Sequence, residues 1–205
     1  MAIDGAITGF FELSDQLRQE AASTIAALRT EGMKVWMVTG DHRRTADAIG
    51  KRVGLSSEYI VAGALPQVKL DFLVSRQNAG GRAVFVGDGI NDAGALAQAD
   101  VGIAMGGGTE VAIESADMVL MTANLTRVVT ALSLSRSILR CIKRNLFWAI
   151  AYNVVAIPLA AGLSLLVFGS ILPPWVAGGA MAMSSVSVVV SSLTLLRFRV
   201  DVNNE

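Results

Sequence analysis

Along residues 1–124 the apolar positions switch repeatedly between a helical spacing and short continuous runs, the pattern of a sheet interleaved with helices. Ser14 to Glu31 predicts a helix with Leu17, Ala21, Ile25 and Leu28 on one face, stopped by Gly32. Lys34 to Thr39 predicts a strand, Arg43 to Arg52 a helix, Tyr59 to Ala62 a strand and Gln67 to Gln77 a helix. Ala83 to Val86 then reads as a central strand, and Asp92–Ala99, Val101–Ala104, Glu110–Ser115 and Met118–Met121 continue the alternation. Strands covered by helices on both faces pair in parallel and gather their carboxyl-end loops into one rim.

The pattern changes after Met121. A helix from about Leu125 to Arg144 leads into a stretch, Asn145 to Leu196, that contains no Asp, Glu, Lys, Arg or His. A spanning helix needs about 20 mostly apolar residues, so the stretch predicts a transmembrane hairpin over 145–196, with helices near Asn145–Phe168 and Pro174–Leu196. Gly169, Ser170, Pro173 and Pro174 mark its turn. Arg136, Arg140, Lys143 and Arg144 precede the hairpin, and Arg197 and Arg199 come after it. By the positive-inside rule both flanks, and the tail 197–205, are cytoplasmic. The expected place is therefore the cell membrane, multi-pass, with the lipid bilayer as a partner.

Composition agrees, with 53% hydrophobic and 17% charged residues. The balanced charge gives no sign of nucleic-acid binding. The first 30 residues carry Asp4, Glu12, Asp15 and Glu20, which excludes a signal-peptide core there. A single cysteine, Cys141, rules out an internal disulfide and a C-x-x-C motif, and reads as a packed residue.

The rim loops carry the candidate chemistry. "GDGIND" at 87–92 crowds Asp88, Asn91 and Asp92 after a buried strand. Magnesium needs only one or two carboxylates besides waters and substrate phosphate, so these three residues are candidate ligands. Phosphoryl transfer also needs donors and a cation for the phosphoryl oxygens. Thr39 in "TGD", with Gly40 and Asp41, offers a hydroxyl, and Lys69 in "PQVK" offers the cation. Taken singly, "TGD" is a common turn and Lys69 a solvated lysine; in order on one rim they form a candidate catalytic set. An attacking Asp at the end of an earlier strand is missing.

"MVTGD", "P-x-x-K", "VGDGINDAGALAQADVGIAMGGGTEVAIESADMVLM" and the terminal hairpin together resemble the C-terminal part of heavy-metal P-type ATPases, in order and over almost the whole chain. The resemblance implies an α/β fold in which residues 1–124 form part of a haloacid-dehalogenase-like phosphorylation domain, joined by a helix at 125–144 to the last two transmembrane helices. It implies that Thr39 contacts the phosphoryl group, that Lys69 neutralises it and that Asp88 holds Mg²⁺ with support from Asn91 and Asp92. Gly94 replaces the family's usual proline in "NDAPAL". Tyr152 and Asn153, with Met181 and Ser185, look like the last two helices of copper(I) pumps, and a thioether suits that soft ion. These four are the candidate ligands for the transported metal.

The family's D-K-T-G-T loop, nucleotide insertion, actuator T-G-E and C-P-C ion helix do not occur in this sequence. The expectation is a segment that carries half of a magnesium site and part of an ion path, uses ATP only together with the missing N-terminal part, and does not complete phosphorylation alone. Two other readings remain open. One is a membrane-tethered phosphatase with Asp4 as nucleophile; the other is a non-catalytic metal-binding or pump-associated module.

Overall fold

The structure, a computed structural model, describes residues 2–3, 6–7, 16–169 and 173–197. The chain divides into two compact units, residues 1–129 and 130–205.

The first unit is α/β. A short antiparallel pair, β1 (Ala2–Ile3) and β2 (Ala6–Ile7), precedes α1 (Ala21–Thr30). Next come β3 (Met37–Val38), α2 (Arg43–Arg52), β4 (Ile60–Val61), α3 (Pro66–Asn78) and β5 (Val84–Gly87). They are succeeded by α4 (Ala93–Gln98), β6 (Val101–Ala104), α5 (Glu110–Glu114) and β7 (Met118–Val119). Strands β3 and β4 pair in parallel, as do β5, β6 and β7 in that order.

The predicted alternation is therefore present, with corrections. Parallel strands form two separate ladders among the described residues, and the strand in the middle of the larger one is β6, not β5. Helix α1 starts at Ala21, where Ala21 and Thr24 become buried. Gln16 to Arg18 are not helical, and Leu17 packs on the core from outside the helix. The acidic loop also enters its helix through a 3₁₀ turn at Ile90–Asp92, before α4 begins.

Two clusters hold this unit. Ala21, Ala46, Val53, Leu55 and Ile60 pack α1 and α2 around the β3–β4 ladder, with Val35, Met37 and Leu125 against them. On the other ladder Leu96, Ile103, Ala104 and Ala112 are fully buried where α4 and α5 cover β6. Burying one such leucine or isoleucine contributes roughly 2–3 kcal/mol.

Polar clamps finish the frame. Arg43 donates to Asp47 (3.0 Å), to the Ile60 carbonyl (3.0 Å) and to the Ser57 carbonyl (2.9 Å), tying α2 to the entry of β4. Asp100 accepts from the Ala83 amide at 2.9 Å and from Gln77 at 3.1 Å, locking the start of β5 to the start of β6.

The second unit is helical. Helix α6 (Thr126–Pro158) begins in the first unit and runs without a break through the basic segment. The linking helix at 125–144 and the start of the first hairpin helix are thus one element. A π-helical turn at Leu159–Leu163, with Gly162 at φ +113°, separates it from α7 (Ser164–Phe168). Helix α8 (Pro174–Leu193) comes next and ends in a 3₁₀ turn at Thr194–Arg197.

Among the described residues, no helix is long and apolar enough to cross a membrane. For α6 the reason is plain. Past Arg144 only Asn145 to Pro158 remain, about 21 Å at 1.5 Å per residue, against a hydrocarbon core of about 30 Å. The predicted first hairpin helix is interrupted by the π turn. Cys141 is buried, with its thiol 3.5 Å from the Ser191 carbonyl, in line with a packed residue.

Two carboxylates respond to this frame. The Ala83 amide, then Gln77, hold Asp100 below the usual carboxylate range, and the Arg43 hydrogen bond does the same for Asp47. A depressed folded value means a contribution that is fully present above the unfolded value, near 3.9, and lost as pH falls through the folded one. Thermal melts monitored by circular dichroism should show the midpoint dropping as the pH descends below about 4. Asp47→Asn with Asp100→Asn should flatten that acid limb, and an unchanged limb would mean that these bonds do not form in solution.

Candidate functional site

Each predicted rim loop leaves the carboxyl end of a parallel strand. The loop after β5 turns back at Gly87, and the Asp92 side chain fills the space a side chain there would need. A Cβ on Gly87 would lie 2.8 Å from the Asp92 Cβ and 2.9 Å from its Oδ2. Asp92 Oδ2 accepts from the Gly89 amide at 3.3 Å, closing the turn from inside.

The other oxygen of Asp92 meets Lys69. Nζ to Oδ1 is 2.6 Å, and the two side chains are only 14% and 12% exposed. Lys69 stands on the first turn of α3, where Pro66 preorganises the backbone and the Leu65 carbonyl accepts from the Lys69 amide at 3.1 Å. A charge-assisted bond this short, shielded from water, is stronger than a surface pair.

The loop after β3 is stitched to the same helix start. Thr39 donates its amide to the Val61 carbonyl (2.9 Å) and accepts from the Ala64 amide (2.8 Å), while the Asp41 carbonyl accepts from the Gly63 amide (2.8 Å). The Thr39 hydroxyl accepts from the Asp41 amide at 3.2 Å, which leaves its own proton free to donate. Ala64 is one residue before Leu65, so Thr39, Lys69 and Asp92 lie along one bonded chain.

The loop after β6 is bonded to the backbone of the acidic loop. The Thr109 amide donates to the Asp88 carbonyl at 3.1 Å, and the Met105 amide to the Gly87 carbonyl at 3.0 Å. Thr109 caps α5 by accepting from Ala112. Gly106 runs against the chain leaving β7: a Cβ there would lie 2.5 Å from the Met121 carbonyl carbon and the Thr122 nitrogen.

The predicted residues thus fall into distinct positions. Lys69 and Asp92 are in contact and shielded; Asp88 and Asn91 are exposed in the acidic loop, as are Gly40 and Asp41 in the threonine loop. The Asp88 carboxylate has no hydrogen-bond or ion-pair partner among the described residues. No group of three or more His, Cys, Asp or Glu residues that could hold a metal ion is found among the described residues, so a metal here would lean on one carboxylate, amide oxygens and ligand oxygens. Asp4, the alternative nucleophile, lies outside the described residues.

Sequence reasoning missed the Lys69–Asp92 partnership, for which a separation of 23 residues left no local signal. Nor did it show that Thr109 ties the loop after β6 to Asp88.

Of the four candidate ligands for a transported metal, Tyr152 lines a groove between α6 and α8. Asn153 donates to the Ala149 carbonyl of its own helix at 2.9 Å, and Ser185 is exposed. The Met181 side chain lies outside the described part of the structure.

Residues 2–100 match a family model described as haloacid dehalogenase-like hydrolase, and residues 70–132 match a second model of the same description. The chain is 48% identical over 197 residues to "Probable copper-importing P-type ATPase A" of Enterococcus hirae, covering 96% of this chain and 26% of that protein. It is 51% identical over 195 residues to "Copper-transporting ATPase 1" of Rhizobium meliloti, covering 95% of this chain and 23% of that protein. Among solved structures, a zinc-transporting PIB-type ATPase in its E2.Pi state superposes with a TM-score of 0.76 at 35% identity, over 89% of this chain and 28% of that one. The chain spans about a quarter of the length of the curated relatives it matches.

The shielded pair makes a direct prediction. Removing the amine strands a carboxylate away from water, so Lys69→Met should lower the unfolding free energy by about 3 kcal/mol in urea titrations. Lys69→Met with Asp92→Leu together should recover most of that loss. A single substitution with no effect would mean that the pair is open in solution.

Proposed function

We propose that this chain, which carries a haloacid dehalogenase-like domain homologous over most of its length to copper and heavy-metal P-type ATPases, is the C-terminal segment of an ATP-driven heavy-metal pump. It supplies the magnesium- and phosphate-handling loops and part of the ion path. The observation that carries this reading is the shielded Lys69–Asp92 pair beneath an exposed Asp88 in a glycine-lined loop.

The donor set fits magnesium, which takes hard oxygens and only one or two carboxylates. Asp88 and the Asn91 amide oxygen would hold the ion; Asp92, engaged by Lys69, acts from behind by fixing the loop. When bound, magnesium neutralises charge on phosphoryl oxygens. Lys69, anchored by Asp92, keeps its ammonium at the floor of the site, and the Thr39 hydroxyl donates to a phosphoryl oxygen. The attacking carboxylate belongs to a D-K-T-G-T loop that this sequence does not contain. ATP is therefore used only together with the part of the pump that carries it.

In this reading, residues 145–196 are the last membrane hairpin, with both flanks cytoplasmic. Support comes from the charge-free run and from the apolar side chains that α6 and α8 leave exposed, among them Phe147, Val154, Ile157, Met183 and Val186. Tyr152, Asn153, Met181 and Ser185 would belong to the ion path. Copper(I) is favoured over zinc because the two copper-named relatives are closer in identity than the zinc-transporting structure, and because a methionine is among the four.

Magnesium titrated into the purified chain and monitored by nuclear magnetic resonance should give weak, saturable shifts in the acidic loop. Asp88→Asn should abolish them. Binding that survives Asp88→Asn would place the ion elsewhere. Labelled ATP should leave no acylphosphate on this chain by itself, and a hydroxylamine-sensitive label would overturn its assignment as the segment without the nucleophile.

A further inference from the structure

We infer that Thr109 is a positioning residue for Asp88: it fixes the backbone from which that carboxylate reaches a divalent cation, and so tunes the affinity for the ion. This deepens the proposed function and rests on its magnesium reading of the acidic loop. The Asp88 side chain is exposed and, among the described residues, bonded to no other group. What holds the peptide groups on either side of it therefore decides where its carboxylate can reach.

Those peptide groups are gripped from two directions. The Met105 amide donates to the Gly87 carbonyl at 3.0 Å, just past the last β5–β6 pair, Gly87 with Ala104. In the next peptide the Asp88 carbonyl accepts from the Thr109 amide at 3.1 Å. The nitrogen of that same peptide, on Gly89, donates to Asp92 Oδ2 at 3.3 Å, and Asp92 is itself held by Lys69. One peptide plane is thus fixed at both ends, by the lysine–aspartate pair at its nitrogen and by Thr109 at its oxygen. A ligand group whose backbone is already fixed has less to reorganise when the ion arrives.

Thr109 is a firm support because its other groups are engaged. Its hydroxyl oxygen accepts from the Ala112 amide at 3.4 Å, its carbonyl accepts from the Ile113 amide at 3.0 Å, and Ala112 is fully buried. As the capping residue ahead of α5, it has an amide with no helical partner, and that amide goes to Asp88. The residue before it makes the approach possible. A Cβ on Gly108 would lie 3.0 Å from the Asp88 carbonyl oxygen and 2.9 Å from that of Met105, so any side chain there would press on the bond in question. A threonine that served only to cap α5 would need neither the bond to Asp88 nor the glycine beside it.

The test is magnesium binding to the full chain, followed by nuclear magnetic resonance of the acidic loop, with thermal midpoints read on the same samples. Thr109→Val removes the capping oxygen but keeps the branched shape, and should weaken the apparent affinity about fivefold. Thr109→Ser keeps the oxygen and should restore it. Gly108→Ala should weaken binding in the same direction with the cap left in place. If Thr109→Val melts earlier yet binds magnesium like the unsubstituted chain, Thr109 is a helix cap alone and the inference fails. Absence of magnesium shifts in the unsubstituted chain overturns the magnesium reading and this role with it. A further measurement needs no variant. Coupling between two equilibria is reciprocal, so an ion favoured by the Thr109 bond must strengthen that bond. Solvent exchange of the Thr109 amide hydrogen should slow by a similar factor at saturating magnesium, and an unchanged rate overturns the role even where the variants do not fold.

Discussion

The 2.6 Å contact between Lys69 and Asp92 is the constraint around which the α/β unit is arranged. Two charges taken mostly out of water must satisfy each other, because either one left alone costs several kcal/mol. That requirement fixes the first turn of α3 against the loop after β5. It also calls for glycine at position 87, since no other residue leaves room for the returning carboxylate. Thr39 is drawn into the same assembly through Ala64, which it holds by a backbone bond just ahead of the helix.

This arrangement separates two jobs that the acidic loop's composition blurs. Asp88 and Asp92 are four residues apart and chemically alike, yet one faces solvent and the other is shielded against a lysine. The first is available to a ligand; the second sets the shape of the loop that presents the first. A loop held from beneath does not have to reorganise when charge arrives, which is where preorganised electrostatic sites gain their strength.

Much of the α/β unit was legible in the sequence because its signals are local. Pro66 announces the start of α3, and the apolar run ending at Gly87 announces a strand and its turn. The three rim loops could be placed from those signals alone. The features that could not be read are long-range: the partner of Asp92, the division of the strands into two ladders, and the bond from the Thr109 amide to the Asp88 carbonyl. In the helical unit, absence of charge located the apolar stretch. It did not reveal that α6 starts far upstream, since helical periodicity continues smoothly through the basic residues, nor that a π turn interrupts the apolar stretch after Pro158.

The contact at Gly106 has a mechanical consequence. Its α-carbon rests directly on the backbone of Met121 and Thr122, a few residues ahead of Thr126, where α6 begins. Any side chain at position 106 would have to displace the chain leaving β7, so glycine there sets how closely the two segments can approach.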